Sequence, residues 1–303
     1  WENQNTINNL KITAYKATIN NLNMGGLSGS ANFSDSLFAT ALNGANSVSI
    51  GGGSVDNKIT INGLSNVGAL FGKLEVANER EIVLENELNN ISLDTMNHIN
   101  QASTDYLNIG QFAGSISGGD DSTLKYASIN RLLTIENSSG NISLGKFAGS
   151  IENINLIKTE SNIPTIHSVE NNDKSVLGLI VGRAFKSKIS VMASEDELAN
   201  LTLANDLINI KGGSAGVIAG LIKESEINLK ELSCSNLTIN GKVYAGAVVG
   251  KSERSKVNLS KISNANLTGA NAGAVAGEFK NSNLNLKIEE VAGVKNYSNT
   301  NLT

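Results

Sequence analysis

The chain has 303 residues, of which 17% are charged and only 4% aromatic, and it carries a formal net charge of −4. With no basic patch or aromatic stacking platform, a nucleic-acid surface is excluded, and one cysteine, Cys234, excludes an intrachain disulfide. So few aromatics predict thin interior layers of Val, Ile, Leu and Ala rather than a thick globular core.

In chain order, residues 1–23 alternate apolar and polar, with Ile7, Leu10, Ile12, Ile19 and Leu22 as the apolar set, which reads as an early coil of strand. MGGLSG (24–29) is a degraded copy of a glycine block that recurs further on. Ser34-Asp35-Ser36, ahead of Leu37 to Leu42, has cap chemistry followed by good helix formers and predicts a short helix. Ile59-Thr60-Ile61-Asn62-Gly63 then alternates again, as does Leu237-Thr238-Ile239-Asn240-Gly241, each five residues before the first glycine of a block.

The blocks are VGALFG (67–72), IGQFAG (109–114), LGKFAG (144–149), LGLIVG (177–182), AGVIAG (215–220), AGAVVG (245–250) and AGAVAG (272–277). Their second glycines are separated by 42, 35, 33, 38, 30 and 27 residues, a period that marks a solenoid. Seven residues after the second glycine, the later copies begin an apolar-polar-apolar triplet, Ile189-Ser190-Val191, Ile227-Asn228-Leu229, Val257-Asn258-Leu259 and Leu284-Asn285-Leu286. The period of two is that of a strand. Stacking coil on coil would bury one face of each strand and pair its backbone above and below. Block glycines suit corners that need positive φ or close backbone approach. A membrane-helix reading of Gly-x-x-x-Gly fails, because the longest apolar run, about Ala215 to Ile222, ends in Lys223-Glu224-Ser225-Glu226. Within 245–250, read as one strand, alternation sends Ala247 and Val249 inward and leaves Val248 exposed.

These blocks resemble the GLUG motif, a short glycine-bounded apolar repeat carried in tandem by bacterial surface and secreted proteins. The resemblance covers about 67–290 and is similar in kind to β-helical passengers of autotransporters and filamentous-haemagglutinin-type adhesins. It implies a β-helix, an extracellular or cell-surface location, and a role in adhesion. Ala, Gln, Lys or Val often stands where the family prefers Gly-Leu, so the resemblance specifies architecture far better than ligand.

Three stretches depart from the repeat. Residues 75–93, rich in Glu and Asn, read as a looped-out excursion. Ser194-Glu195-Asp196-Glu197-Leu198 has a capping-box pattern that would start one helical turn. Gly118-Gly119-Asp120-Asp121-Ser122 resembles a calcium turn but lacks the nonapeptide repetition of calcium-binding rolls, and a plain turn is the preferred reading.

No catalytic, cofactor-binding or metal residue is expected from the sequence. His98 and His167 have no motif around them and read as surface residues. The carboxylates Asp120, Asp121, Glu195, Asp196 and Glu197 sit in turn-like contexts, whereas a glycosidase needs two facing one cleft. Cys234, in a Leu232-x-Cys234-x-Asn236 alternation, reads as a small apolar core residue. The sign-alternating Lys251, Glu253, Arg254 and Lys256 read as a solvated face. Asn is roughly one residue in seven, suited to turns and stacked ladders.

The expectation is a single all-β domain over 1–303, a parallel β-solenoid, three-sided, of roughly ten coils with short loop or helical insertions and a length of about 50 Å. Trp1 is no initiator, no signal peptide precedes it, and no cap closes the far end, so the chain reads as a segment of a longer surface protein. Its expected role is an adhesin or passenger rod that meets a host or neighbouring-cell protein or glycan through irregular loops. No cofactor, metal, nucleic acid or membrane-spanning segment is expected, and self-association is left open. A polysaccharide-acting β-helical enzyme and a purely structural spacer are the alternatives.

Overall fold

The computed structural model describes residues 13–14, 18–33, 46–50, 59–84, 91–93, 96–97, 99–127, 129, 133–136, 139–160, 162–163, 167–169, 173–203, 208–286 and 301–302. The chain winds as a three-sided parallel β-solenoid, and no helix occurs among the described residues. Face one holds Asn23–Gly25, Ser65–Gly68, Leu107–Gly110, Ile142–Gly145 and Val176–Gly178, then the last residues of the longer strands Ile208–Gly216, Glu231–Gly246 and Lys261–Gly273. Face two is an eight-stranded stack, Ser28–Phe33, Phe71–Val76, Ala113–Gly118, Ala148–Glu152, Val181–Phe185, Ala219–Lys223, Val249–Glu253 and Ala276–Lys280. Face three stacks seven strands from Glu81–Leu84 to Asn283–Leu286, and return segments of variable length lead back to face one. Coils are numbered here by their face-two strands.

The repeat read from sequence is the structural register. The triplets stack, Ile189 on Ile227 on Val257 on Leu284. The degraded block pairs Met24 with Val67, Gly25 with Gly68 and Ser28 with Phe71. The early coil is also present, with Thr18, Ile19 and Asn20 beside Thr60, Ile61 and Asn62.

Among the described residues face two stacks eight strands, each coil consuming 27 to 42 residues rather than a uniform thirty; seven steps of ~4.8 Å make the described rod about 34 Å long. Two local expectations are corrected. Residues 75–93 are not looped out as a whole. Glu81–Leu84 is a regular face-three strand with Ile82 and Leu84 inward, and the charged residues Glu79 and Arg80 occupy the turn before it. Residues 194–198 make no helical turn; Ala193 N–H donates to Glu197 O at 2.8 Å and Met192 bridges Leu198 antiparallel, closing a tight loop of exposed acidic side chains. The helix expected at Ser34–Leu42, His98, and the apolar set Ile7, Leu10 and Ile12 lie outside the described residues.

The glycine block is a corner, which corrects the reading of 245–250 as one strand. Gly246 ends face one, Ala247-Val248 make the bend, and Val249-Gly250 open face two. Ala247, Val248 and Val249 are all fully buried, since a bend breaks the inside-outside alternation that a straight strand imposes. The glycines serve close approach rather than positive φ. A Cβ on Gly110 would come within 2.2 Å of Ala113 O and 2.6 Å of the Ala148 Cα of the next coil, and one on Gly114 within 2.2 Å of Val67 N of the coil before. The outer surfaces of faces one and two therefore converge, and the corner is re-entrant.

The corner between faces two and three is built differently. Glu79, Asp121, Asn153, Lys186, Glu224, Arg254 and Asn281 take it with φ of 46–54°, a left-handed conformation that L-residues adopt singly in turns. From coil five onwards, a serine follows. Ser187 Oγ donates to Phe185 O, Ser225 Oγ to Lys223 O, and Ser255 Oγ to Glu253 O, each at 2.8 Å. Each of the three hydroxyls also accepts the backbone N–H of the preceding coil: Ile154 N to Ser187 Oγ at 3.3 Å, Ser187 N to Ser225 Oγ at 3.1 Å, and Ser225 N to Ser255 Oγ at 3.0 Å. This ladder satisfies backbone donors that the turn withdraws from the sheets.

Inside, the core is one apolar column per position, with Val67, Ile109, Leu144, Leu177, Ala215 and Ala245 stacked on face one. Phe112 and Phe147 stack with centroids 4.8 Å apart, and Tyr126 lies on Phe147 at 4.0 Å. Burying each such side chain contributes about 1.5–3 kcal/mol.

Candidate ligand groove

The re-entrant corner leaves a furrow along the rod, floored by outward side chains of faces one and two. On face one the column runs Asn23, Asn66, Asn108, Ser143, Val176, Ser214, Tyr244, Asn271. On face two it runs Ser30, Lys73, Ser115, Ser150, Arg183, Leu221, Lys251, Glu278. Ser143 and Ser214 bridge the furrow floor, donating to Gly149 O at 2.6 Å and Gly220 O at 2.7 Å.

Over the first coils the furrow is filled by a hydrogen-bonded chain. Asn66 Nδ2 donates to Asn23 Oδ1 at 2.7 Å, Asn108 Nδ2 to Asn66 Oδ1 at 2.8 Å, and Arg183 Nη2 to Asn108 Oδ1 at 2.8 Å. Arg183 reaches back two coils to do this, and the short Ser143 and Ser150 of the intervening coil leave it room. Its guanidinium lies 3.9 Å from the Tyr106 ring centroid, a cation–π contact. Burial lowers the Arg183 pKa, and Tyr106, Glu152 and Asp105 oppose that.

Beyond Arg183 the furrow opens into a groove of about 360 Å³, with Tyr106 at one end, Tyr244 towards the other, and Val176, Ser214 and Leu221 between. Asn141, Ser175, Asp173, Lys174, Lys251 and Glu253 supply its polar rim. Lys251 pairs with Glu278 at 2.7 Å and stands 5.2 Å from the Tyr244 ring centroid. The hydrogen bond to Glu278 is the main reason its pKa is raised.

The residues weighed from sequence lie elsewhere. Asp120-Asp121 form a turn between faces two and three, where Glu79 N–H donates to Asp120 O at 2.8 Å. Glu195, Asp196 and Glu197 are on the exposed loop after face three of coil five. His167 falls in the return strand His167–Val169 beside Leu133, and Cys234 pairs in register with Leu203. No three of His, Cys, Asp and Glu gather to hold a metal among the described residues. The charges read as a solvated face are paired across coils, Lys251 with Glu278, Arg254 with Glu224, and Lys256 with Glu226 at 3.5 Å.

The groove itself is not legible in the sequence. Tyr106 and Tyr244 stand 138 positions apart in the sequence, and counting aromatics predicts no platform. The available signal was positional, since Tyr244 lies two residues before the first glycine of its block, where side chains face the re-entrant corner.

The fold and furrow define a parallel β-solenoid with a lateral groove. No family model, no curated protein and no solved structure matches the chain.

Proposed function

We propose that the chain is a binding rod, the adhesive passenger of a bacterial cell-surface or secreted protein, of the kind its GLUG-like blocks resemble. The observation that carries this reading is the open groove along the side of the solenoid. Solenoids use such elongated concave surfaces to meet partners. The exposed acidic loop at 193–198 is a second outward feature on the same rod. Binding is favoured over sugar hydrolysis because two of the three carboxylates at the groove are engaged with cations, Glu278 with Lys251 and Glu253 with Arg254 at 3.6 Å, which leaves Asp173 without a second free carboxylate facing it. A hydrolase needs one of its two carboxyl groups to give up a proton.

The test is adherence of the purified, labelled chain to host cells, bacterial cells and extracellular-matrix components. Saturable binding supports the adhesive rod. Absence of binding to every surface indicates a spacer and overturns the proposal, and release of reducing or unsaturated sugars from a polysaccharide panel would establish the enzyme instead.

A further inference from the structure

We infer that the groove between faces one and two takes an uncharged, hydroxyl-rich ligand, a stretch of neutral oligosaccharide lying along the solenoid axis with Tyr244 as its stacking platform. The inference rests on the binding-rod reading and specifies its site and ligand class.

Charge is the first argument. The groove lining brings two lysines, Lys174 and Lys251, and two carboxylates, Asp173 and Glu253. Beside it, Arg183 and Glu278 again cancel, and Lys251 is already held by Glu278 at 2.7 Å. An anionic ligand would meet no net positive potential and would have to displace Glu278 from Lys251; a cationic ligand faces the converse. Electrostatic complementarity thus selects against charged partners.

Backbone geometry argues against an extended peptide. A peptide captured by strand addition needs a free sheet edge. Here both groove walls are sheet surfaces, whose strands pair with the coils above and below. What the walls offer is side chains, namely Asn141 as an amide partner and the Ser214 oxygen as an acceptor while its proton goes to Gly220 O, with Leu221 and Val176 as apolar floor and two tyrosines. Flat rings beside hydrogen-bonding groups suit a sugar ring, which has an apolar C–H face and a polar rim. Arg183 lies against Tyr106 at 3.9 Å and Lys251 Nζ stands over Tyr244 at 5.2 Å, so one side of each ring is taken; Tyr106, with the closer cation, closes the groove, and the other side of Tyr244 is the platform. The open floor runs from Val176 in coil five to Tyr244 in coil seven, two steps or about 10 Å along the axis, which leaves length for about two sugar units.

The test uses the full chain on an array of neutral and acidic oligosaccharides, followed by calorimetric titration with the best neutral binder and with hexagalacturonate. Tyr244→Ala removes the platform and Leu221→Trp fills the floor. Both positions face outward, and circular dichroism checks the fold of each variant. The expected result is saturable binding of at least one neutral oligosaccharide, weakened tenfold or more by each substitution, with little change in 0.5 M salt. Retention of no neutral glycan, tighter binding of the acidic ligand, or affinity unchanged in both folded variants overturns the inference. If wild-type adherence to cells persists in both variants, the groove is wrong and the binding rod stands. If the wild type adheres to nothing, the binding rod itself fails.

Discussion

The Nζ of Lys158 lies inside the solenoid, 5.5 Å from the centroid of the Tyr126 ring and donating at 2.6 Å to Ala127 O. Lys158 is in register with Val191 on one side and Tyr126 on the other, and only 3% of it is exposed. Lys146, at the block corner of the same coil, is equally buried. Burial lowers Lys158 to about 8, with Glu160 opposing, and lowers Lys146 to about 7, with Lys158 adding repulsion.

That arrangement makes stability depend on pH with a defined sign. A lysine whose folded pKa falls below its unfolded value binds more protons when unfolded, so stability rises with pH between the two. For Lys158 the window runs from about 8 to the ordinary value of 10.5. The penalty is fully present below about 8 and amounts to roughly 3 kcal/mol. Lys158→Met should therefore exceed the wild type in stability at pH 7 by 1–2 kcal/mol, less than the full penalty because Ala127 O loses its donor. The advantage should shrink as pH approaches 10.5. Urea melts at pH 7, 9 and 10 check this, and parallel pH profiles for the two proteins would refute it.

The block corner predicts near-equal damage at neighbouring positions. Val248 and Val249 are both fully buried, so Val248→Asp and Val249→Asp should each cost about 3 kcal/mol or more, by burying a carboxylate without a partner. A marked difference between their thermal melts would restore the single-strand reading of 245–250. Gly220→Ala should be comparably harmful, because its Cβ would stand 2.2 Å from Leu177 N, a backbone atom of the neighbouring coil.

The serine ladder yields a milder prediction. Ser225→Ala deprives Ser187 N–H of its acceptor and Lys223 O of its hydroxyl donor. The expected loss is about 1–2 kcal/mol, and Ser225→Thr, which keeps the hydroxyl, should recover most of it. Denaturant midpoints of the three proteins decide the matter; equal midpoints would mean the ladder contributes nothing.

Charge alternation along the stack gives the fourth prediction. In register, Lys188, Glu226 and Lys256 alternate in sign, as do Lys223, Glu253 and Lys280. Glu226→Lys puts three cations in one column and should cost about 0.5–1 kcal/mol at low salt. Screening should remove most of that cost in 0.5 M NaCl, so a loss independent of salt would assign the effect to packing instead.

The architecture was legible because a solenoid writes its geometry locally. Identical offsets between block, triplet and return strand become identical heights in a stack, so the sequence offsets alone align Ile189, Ile227 and Val257, which stand in register in the structure. Period-two alternation named the inward residues of straight strands correctly, as Val257 and Leu259 show. It failed at the bend, because alternation follows from an extended backbone and says nothing once the chain turns. Val248 is buried for that reason.

What only the tertiary structure decided is the re-entrant side of the corner and everything that depends on it. Glycine spacing announces close approach but not which surface closes, and the meeting of Arg183 with Tyr106 and Asn108 joins residues up to 77 positions apart. The same holds for the interior lysines. Lys146 and Lys158 look like ordinary surface residues in sequence, and only the winding of the coil places them within the core, where desolvation controls their charge.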